Sequence, residues 1–590
     1  MGKIPVLSLI FTLLFGFCSS LKCYNGSFQE VTNFMAFEGP EIIDCNGFCV
    51  SQYQNDGQTL NYTLRCDDST KYCITNNQCK DDYGTSTKTC CCNSDLCVHQ
   101  NATNPIIYDL SQITFSSATA AYQVEGGAWD CRGPSIWDTY SHIPNKIHNN
   151  DTGDDACKSY YKWKNDVELL KNLNVQQYRF SISWSRIFID GTNNTINDVG
   201  VKYYSDLIDA LIAANIEPVI TMFHWDLPQS LMDLGGWLNE NTAIKFGEYT
   251  RYIFQQFGSR VKKWIPINEP LSVVQGEFCG DNGAGAPGEF APHCAWSLYL
   301  AAKTLLLAHL EAWKAFQDLK LDSEGGVLGM ALNGPWFFPA NLTNVNDTEA
   351  SARAFDFYWG LFGHPLFVGD WAPRVKDRIA ELSAKENRTG SRLPAFTAAQ
   401  IQGLKGSAQF VGVNYYNGLM VTSRTDEEEA HRWELGIKTV DYDTKIRQWP
   451  SPEWRQMNAS DPWIYYTPFG LRKLLNYIHT QYNISILITE NGCMDNYDED
   501  LKDVSRVSYL RGHLMAIAQA LQDGVKVMGH TVWSLMDNFE WGDGYSTKFG
   551  IHRVNFSDPE RARTPKASAG FYANVAKTKM LQGFSINSRH

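Results

Sequence analysis

The chain has 590 residues, 44% of them hydrophobic, so it can bury the core of a large domain and still carry a smaller module. Its net charge of −13 at pH 7 argues against a phosphate-backbone partner, and the sequence therefore predicts no nucleic-acid binding. The predicted elements, taken in chain order, form a short leader, a cysteine-rich region and a long region with few cysteines.

Residues 1–20 are predicted to be a secretory signal peptide. Lys3 precedes an apolar run over residues 4–17, and the small residues Ser19 and Ser20 suit cleavage there. The run is short for a membrane span, and no later segment has about 18 unbroken apolar residues, so no transmembrane segment is predicted. We expect a secreted protein, extracellular or lumenal after cleavage, and the sequence leaves extracellular fluid, gut lumen and lysosome open as destinations.

Asn-X-Ser/Thr sequons agree with a secretory route. Chance alone produces a few of them, so their number predicts a glycoprotein but not which sites are occupied. The sequon asparagines are Asn25, Asn61, Asn101, Asn150, Asn193, Asn341, Asn346, Asn387, Asn458, Asn483 and Asn555.

Residues 21–100 are predicted to form a small disulfide-rich, mainly β module. A segment of this length with ten cysteines has little apolar core, and an oxidising compartment favours about five disulfides. A zinc site is the competing interpretation, but no CxxC pair supports it. The cysteines are Cys23, Cys45, Cys49, Cys66, Cys73, Cys79, Cys90, Cys91, Cys92 and Cys97.

The end of this module, residues 91–97 (CCNSDLC), resembles the Cys-Cys-x-x-Asp-x-Cys-Asn ending of three-finger domains of the urokinase-receptor type. Val98 stands where that family has its final Asn, and Cys90 adds a neighbouring cysteine, so the disulfide pairing stays open. The resemblance implies a recognition module with a protein or glycan ligand. A folded spacer without a partner is the alternative.

Residues 101–112 are predicted to be a linker, and residues 113–590 a (β/α)8 barrel. Eight apolar, β-branched segments alternate with amphipathic stretches over this region, which is the pattern of a (β/α)8 (TIM) barrel with insertions. Active sites of such barrels lie at the carboxyl ends of the strands. The strand candidates are residues 113–120, 177–181, 217–222, 263–267, 327–332, 410–414, 485–489 and 527–532.

Two glutamates lie at the carboxyl ends of strand candidates. Glu269 comes after residues 263–267, and Glu490 after residues 485–489. Burial raises the pKa of a carboxyl group or requires a charged partner, so such positions favour chemistry over stability. Two of them on one rigid sheet predict a paired-carboxylate mechanism, of which glycoside hydrolysis is the commonest example.

A set of ordered motifs extends this interpretation. Together they resemble glycoside hydrolase family 1, the family of β-glucosidases, β-galactosidases and lactase-like proteins, over about residues 113–584. The motifs are residues 115–126 (FSSATAAYQVEG), 178–186 (YRFSISWSR), 224–228 (HWDLP), 268–270 (NEP), 489–492 (TENG) and 533–541 (WSLMDNFEW).

The resemblance implies a retaining mechanism. Glu490 matches the nucleophile that forms a glycosyl-enzyme ester, and Glu269 matches the acid/base that protonates the leaving oxygen and then activates water. Arg179 matches a residue that hydrogen-bonds the nucleophile and would keep it ionised, with a structural ion pair as the alternative. Tyr416 matches a tyrosine near the nucleophile. We expect these four to form the catalytic set.

Sugar-binding residues follow from the same resemblance. Trp533 matches the platform on which the sugar stacks, and Trp463 lies where the family often has an aglycone-side tryptophan, with a core aromatic as the alternative. Glu540 argues against a phosphorylated sugar because a carboxylate repels phosphate. The predicted substrate-binding residues are Gln123, His224, Asn268, Trp463, Trp533, Glu540 and Trp541.

No cofactor and no metal are predicted, because no phosphate loop or cluster of metal ligands stands out. Cys279 and Cys294 are expected to pair, and Cys157 is the best candidate for a buried free thiol. Cys493 is a candidate for lining the pocket. Pro266 departs from the family pattern and could shift Asn268 and Glu269, because proline removes a ladder donor.

Two functions are weighed. The first is a secreted retaining β-glycosidase that hydrolyses terminal non-reducing β-D-glucosides or galactosides by double displacement. The second is a catalytically weak, klotho-like co-receptor that binds carbohydrate or protein. Relatives of that kind lose a catalytic glutamate, whereas this chain keeps both, so the enzyme is favoured. The aglycone, the preference between glucoside and galactoside, and the oligomeric state stay open.

Overall fold

The computed structural model describes residues 107–280, 285–434, 440–496 and 499–583, together with the backbone of five strands nearer the amino terminus. The chain divides into two units, Ser111–Lys579 and a second one formed by Met1–Leu110 with Met580–His590.

The five amino-terminal strands pair in an antiparallel sheet. The predicted signal peptide, the cysteine pairing and the three-finger resemblance lie outside the described residues. Within the predicted linker, Ile107–Asp109 forms a strand that pairs antiparallel with Met580–Gln582. In sheet order, the five strands are Ser27–Gln29, Leu60–Asp67, Phe48–Asn55, Thr87–Cys92 and Gln78–Asp81.

The larger unit contains a closed barrel of eight parallel strands, as predicted. Each strand pairs with the next in sequence, and β8 closes the barrel onto β1. The strands are β1 Thr114–Ala118, β2 Gln177–Ser181, β3 Glu217–Phe223, β4 Lys263–Ile267, β5 Val327–Asn333, β6 Phe410–Asn414, β7 Ser485–Asn491 and β8 Val527–Val532.

A helix follows each strand before the next one begins. The eight are α1 Ser159–Asn172, α2 Asp198–Ala213, α3 Asn241–Phe257, α4 Cys294–Asp318, α5 Trp359–Val368, α6 Pro468–Tyr482, α7 Val504–Gln522 and α8 Ala567–Thr578.

Shorter elements occupy the connections. Helical segments are Ala121–Val124, Ile136–Ser141, His148–Asn150, Trp184–Ile187, Gln229–Met232, Gly236–Leu238, Pro270–Ser272, Val273–Glu277, Ala291–His293, Leu321–Glu324, Val345–Phe357, Pro373–Lys385, Ala398–Leu404, Asp426–Glu434, Val440–Thr444, Asp500–Lys502 and Trp541–Asp543. Trp336–Pro339, Gly418–Ser423 and Ile446–Trp449 form a three-stranded sheet, and His552–Val554 pairs with Arg563–Pro565.

The barrel core explains why apolar runs mark the strands. Parallel strands are covered on both faces, so they read as nearly continuous hydrophobic segments. One buried cluster takes a residue from each of five neighbouring strands: Val219, Ile265, Ala331, Phe410 and Leu487.

Four predicted strands match the observed bounds, and the others differ by one or two residues at their ends. The difference matters at β7, which continues through Asn491, so Glu490 lies inside the strand and not after it. Glu269 lies two residues beyond Ile267, the last residue of β4, and so at the carboxyl end of the strand, as predicted. Among the described residues, no helix is long and apolar enough to cross a membrane.

Candidate active site

Glu490, near the carboxyl end of β7, is buried beside a cation and a hydroxyl group. Its Oε1 accepts a hydrogen bond from Arg179 Nη1 on β2 at 2.6 Å, and its Oε2 accepts one from the Tyr416 hydroxyl at 2.7 Å. Burial raises the pKa of Glu490, while the positive charge of Arg179 and the hydrogen bonds oppose that rise. The pKa of Glu490 is raised on balance, and its partners limit that rise by stabilising the ionised form.

Glu269 has a different environment. Its Oε1 accepts from Asn414 Nδ2 at 2.7 Å, and its Oε2 accepts from the Ser272 hydroxyl at 2.8 Å. Burial, followed by the nearby charge of Glu490, raises the pKa of Glu269 to about 7. The two carboxyl groups therefore differ as an acid and a nucleophile must, because one has a cationic partner and the other titrates near neutral pH.

The backbone at Glu269 has a left-handed conformation, with φ of +46°. Such values are costly for side chains with a Cβ and cluster at functional sites. Trp225 and Trp541 share this feature, with φ of +77° and +47°. Backbone pairing continues past Pro266 and the end of β4, since the amide of Glu269 donates to the Ala331 carbonyl at 2.9 Å. Pro266 was expected to shift Asn268 and Glu269. The backbone hydrogen bond of Glu269 is kept even so.

Asn268 and Asn414 connect the two glutamates. Asn268 Oδ1 accepts from Arg179 Nη2 at 2.5 Å and from Asn414 Nδ2 at 3.1 Å. Asn414 Oδ1 in turn accepts from the Thr489 hydroxyl at 2.6 Å, which fixes the direction of its amide. Sequence reasoning missed Asn414, Ser272 and Thr489. The position of Asn414 at the end of a predicted strand, directly before the Tyr415-Tyr416 pair, was an available signal.

His224 and Gln123 lie in the same buried region. Asn268 Nδ2 donates to His224 Nε2 at 3.0 Å, and burial together with the charge of Arg179 lowers the pKa of His224 well below its usual range. Gln123 Nε2 donates to Glu540 Oε2 at 3.3 Å. Among the described residues, His224 Nδ1 and Gln123 Oε1 have no hydrogen-bond partner, so both are available to a polar ligand.

The predicted aromatic residues fall into two groups. Trp533 and Trp541 are nearly buried, and both rings lie close to the His224 ring, with centroids 5.8 and 6.0 Å away. Trp463 is 45% exposed and its ring centroid is 5.5 Å from that of Tyr416. Trp463 is therefore not a core aromatic, which removes the alternative interpretation.

Glu540 lies close to two other carboxyl groups. Burial, then the neighbouring carboxylates of Asp543 and Glu490, raise the pKa of Glu540 well above its usual range. The exclusion of a phosphorylated sugar by Glu540 stays a prediction.

The cysteine predictions for the larger unit are confirmed in two cases. Cys279 and Cys294 form a disulfide across a separation of 15 residues. Cys157 is a buried free thiol, as expected. Cys493 is also buried, with no exposed surface, and its carbonyl oxygen accepts from Arg506 Nε at 2.9 Å.

The fold and site define a (β/α)8-barrel protein with two buried glutamates at the ends of β4 and β7. The family model described as Glycosyl hydrolase family 1 matches residues 110–581. The chain therefore belongs to glycosyl hydrolase family 1.

Individual relatives and solved structures agree with this family assignment. The chain is 41% identical to human lactase/phlorizin hydrolase over 472 residues, which cover 78% of this chain and 24% of that protein. It is 40% identical to human cytosolic beta-glucosidase over 476 residues, which cover 79% of this chain and 98% of that protein. The structure of aphid myrosinase superimposes with a TM-score of 0.73 at 38% identity, covering 80% of this chain and 99% of that one. The chain thus spans about a quarter of the lactase/phlorizin hydrolase and nearly all of the shorter relative.

Proposed function

We propose that this protein is a retaining β-glycosidase that hydrolyses terminal non-reducing β-D-glucosides or β-D-galactosides. The observation that carries the proposal is the contrast between two buried glutamates. Glu490 is paired with Arg179 at 2.6 Å, whereas Glu269 has only neutral hydrogen-bond donors and titrates near pH 7.

In the first step, the Glu490 carboxylate attacks the anomeric carbon as the bond to the leaving oxygen breaks. Glu269 gives its proton to that oxygen, and a glycosyl ester forms on Glu490. The second step reverses these roles, because Glu269 takes a proton from water, which attacks the anomeric carbon and releases Glu490. The negative charge of Glu490 raises the pKa of Glu269, so esterification removes this contribution and prepares Glu269 to act as a base.

The sugar is proposed to bind beside this pair. His224 Nδ1 and Gln123 Oε1 offer unpaired polar atoms, and the Trp533 ring offers an apolar face. Asn268 precedes Glu269 in the chain and accepts a hydrogen bond from Arg179, the partner of Glu490. Glu540 and Trp541 complete the predicted ring-hydroxyl contacts. Exposed Trp463 is assigned to the aglycone side.

We also propose that the protein is secreted and that residues 21–100 form a three-finger-like recognition module. The leader over residues 1–20 and the ten cysteines support this assignment. The sequons add support, because seven of the eight between residues 107 and 583 place their asparagine on the exposed surface. A protein or glycan ligand of the module is the corresponding partner, and the klotho-like co-receptor is the alternative function.

The test is hydrolysis of aryl β-glucoside and aryl β-galactoside by the purified secreted protein. Glu490→Gln should lower turnover by more than about 1000-fold, or about 4 kcal/mol of transition-state stabilisation. Glu311→Gln, at a surface ion pair with Lys314, is the matched control and should leave turnover unchanged. Near-normal turnover in Glu490→Gln would remove Glu490 from the nucleophile role, and a folded but inactive wild type would favour the co-receptor.

A further inference from the structure

A serine and an asparagine outside the predicted catalytic set lie directly behind Glu269. Ser272 ends the short helix Pro270–Ser272, one turn after Glu269, and its Oγ is 2.8 Å from Glu269 Oε2. Asn333, the last residue of β5, donates from Nδ2 to the same Ser272 Oγ at 2.8 Å. A chain of two hydrogen bonds therefore runs from Asn333 through Ser272 to Glu269.

The chemistry of the groups decides which atom donates and which accepts in these two hydrogen bonds. An amide N–H can only donate, so the Asn333 contact uses Ser272 Oγ as an acceptor. The single hydroxyl proton of Ser272 is then directed to Glu269 Oε2. If Asn333 turned its carbonyl oxygen to Ser272, it would compete for that proton. The amide orientation of Asn333 thus decides which carboxyl form the hydroxyl group supports.

We propose that Ser272, oriented by Asn333, is a positioning residue that holds the Glu269 carboxyl group and favours its ionised form. This inference deepens the proposed glycosidase function and rests on it. A donated hydrogen bond stabilises a carboxylate more than a protonated carboxyl group, and bonds to charged groups are the stronger ones. Ser272 and Asn414 together supply one donor to each oxygen of Glu269.

The Ser272 hydrogen bond matters because opposing influences on the pKa of Glu269 are nearly balanced. Burial and the charge of Glu490 favour the protonated form. The Asn414 and Ser272 hydrogen bonds and the positive charge of Arg179 oppose them, which leaves the pKa of Glu269 at about 7. An acid/base residue must be protonated in one step and ionised in the next, so it works best with a pKa near the operating pH. Losing the Ser272 hydroxyl would favour the acid and weaken the base.

The experiment is the pH profile of kcat/KM for an aryl β-glucoside. Ser272→Ala should move the alkaline limb upward by about 1 pH unit, because one hydrogen bond to the ionised form is lost, and should leave the acid limb, which reports Glu490, in place. Ser272→Thr keeps the hydroxyl group and is the matched control, with an unmoved alkaline limb. Asn333→Ala should move the same limb in the same direction by less.

The double variant Ser272→Ala/Asn333→Ala distinguishes positioning from general damage. If Asn333 acts only through Ser272, the double variant should match Ser272→Ala. An unmoved alkaline limb in folded Ser272→Ala, or additive shifts in the double variant, would overturn the proposal. A purely structural role would lower activity at every pH without moving one limb.

If the wild type shows no turnover, the proposed function fails but the inference is still testable. The carbonyl stretch of Glu269, identified by infrared difference against Glu269→Gln, can be titrated directly in wild type and in Ser272→Ala. A higher midpoint in Ser272→Ala supports the inference, and equal midpoints overturn it.

Discussion

The guanidinium group of Arg179 binds Glu490 and Asn268 at once, with Nη1 2.6 Å from Glu490 Oε1 and Nη2 2.5 Å from Asn268 Oδ1. All three side chains are buried. One cation on β2 therefore fixes residues from β7 and from the end of β4, which the resemblance assigns to nucleophilic attack and sugar binding. Its planar fork suits two oxygen acceptors, and an ammonium group would not replace it.

Replacing Arg179 with Met should change the acid side of the pH profile. Burial would raise the pKa of Glu490 without an opposing charge, so the acid limb should move to higher pH and activity at pH 6 should fall. We also expect a loss of stability of about 3–5 kcal/mol, as for other broken buried ion pairs. Arg251→Met, which breaks an exposed pair with Asp318, is the control. An acid limb that stays in place would contradict the role of Arg179.

The wild-type alkaline limb should lie near pH 7. The proposed first step needs protonated Glu269, and the protonated fraction falls as pH rises through a pKa of about 7. We therefore expect kcat/KM to fall tenfold for each further pH unit above this value. The profile should be measured with a substrate whose leaving group does not titrate in that range. A plateau to pH 9 would contradict this assignment of Glu269.

Glu269→Ala should discriminate among leaving groups. A leaving group of low pKa departs without a proton, so activated aryl glycosides should lose much less activity in the first step than alkyl glycosides. Added azide needs no general base, and it should restore turnover of the activated substrates and yield a β-glycosyl azide. The products can be assigned by nuclear magnetic resonance. Equal losses for both substrate types would argue against the acid role.

Local signals were enough to predict the barrel and the two carboxylates. Runs such as the one before Glu490 are apolar because both faces of the strand are buried, and this pattern can be read without a structure. Glu269 was found because a carboxyl group at the carboxyl end of a buried strand is unusual. Assigning the roles of nucleophile and acid/base to the two glutamates required the ordered motifs as well.

Contacts between distant segments could not be predicted in the same way. Ser272 and Asn333 are 61 residues apart, and neither has a local feature that marks it as a partner of Glu269. The raised pKa of Glu540 depends on burial and then on the carboxyl groups of Asp543 and Glu490, and folding brings Glu490 near from β7. Three-dimensional packing, not residue type, decides these properties.

The Cys279–Cys294 disulfide closes a loop that follows the proposed acid/base. A loop of about 15 residues corresponds to about 3 kcal/mol in the chain-entropy model. The double variant Cys279→Ser/Cys294→Ser should therefore unfold at a lower urea concentration, with a loss of up to this size. Cys131→Ser, at an exposed free cysteine, is the control and should unfold as the wild type does. An unchanged midpoint in the double variant would show that the bond does not stabilise the fold.

Two sequons should differ in glycan occupancy if the protein is secreted. Asn341 is exposed, and its Oδ1 accepts hydrogen bonds from the amide and the hydroxyl of Thr343 at 2.9 and 2.8 Å. Among the described residues, Asn341 Nδ2 donates no hydrogen bond, so it is free to carry a glycan. Asn458 is 8% exposed, and its Nδ2 donates to the Asp495 carbonyl at 2.7 Å.

A glycan on Asn458 would remove that hydrogen bond and place a bulky polar group in a buried site, which the folded chain cannot accommodate. Protein secreted from a eukaryotic cell should therefore carry glycan at Asn341 and none at Asn458. Enzymatic deglycosylation in heavy-oxygen water, followed by peptide mass spectrometry, labels each occupied asparagine and measures this directly. Asn341→Gln should lose one glycan and keep its stability, whereas Asn458→Gln should lose no glycan and about 1–3 kcal/mol of stability. An occupied Asn458 in the folded protein would contradict the packing described here, and a secreted chain without glycan at Asn341 would contradict the role of exposure.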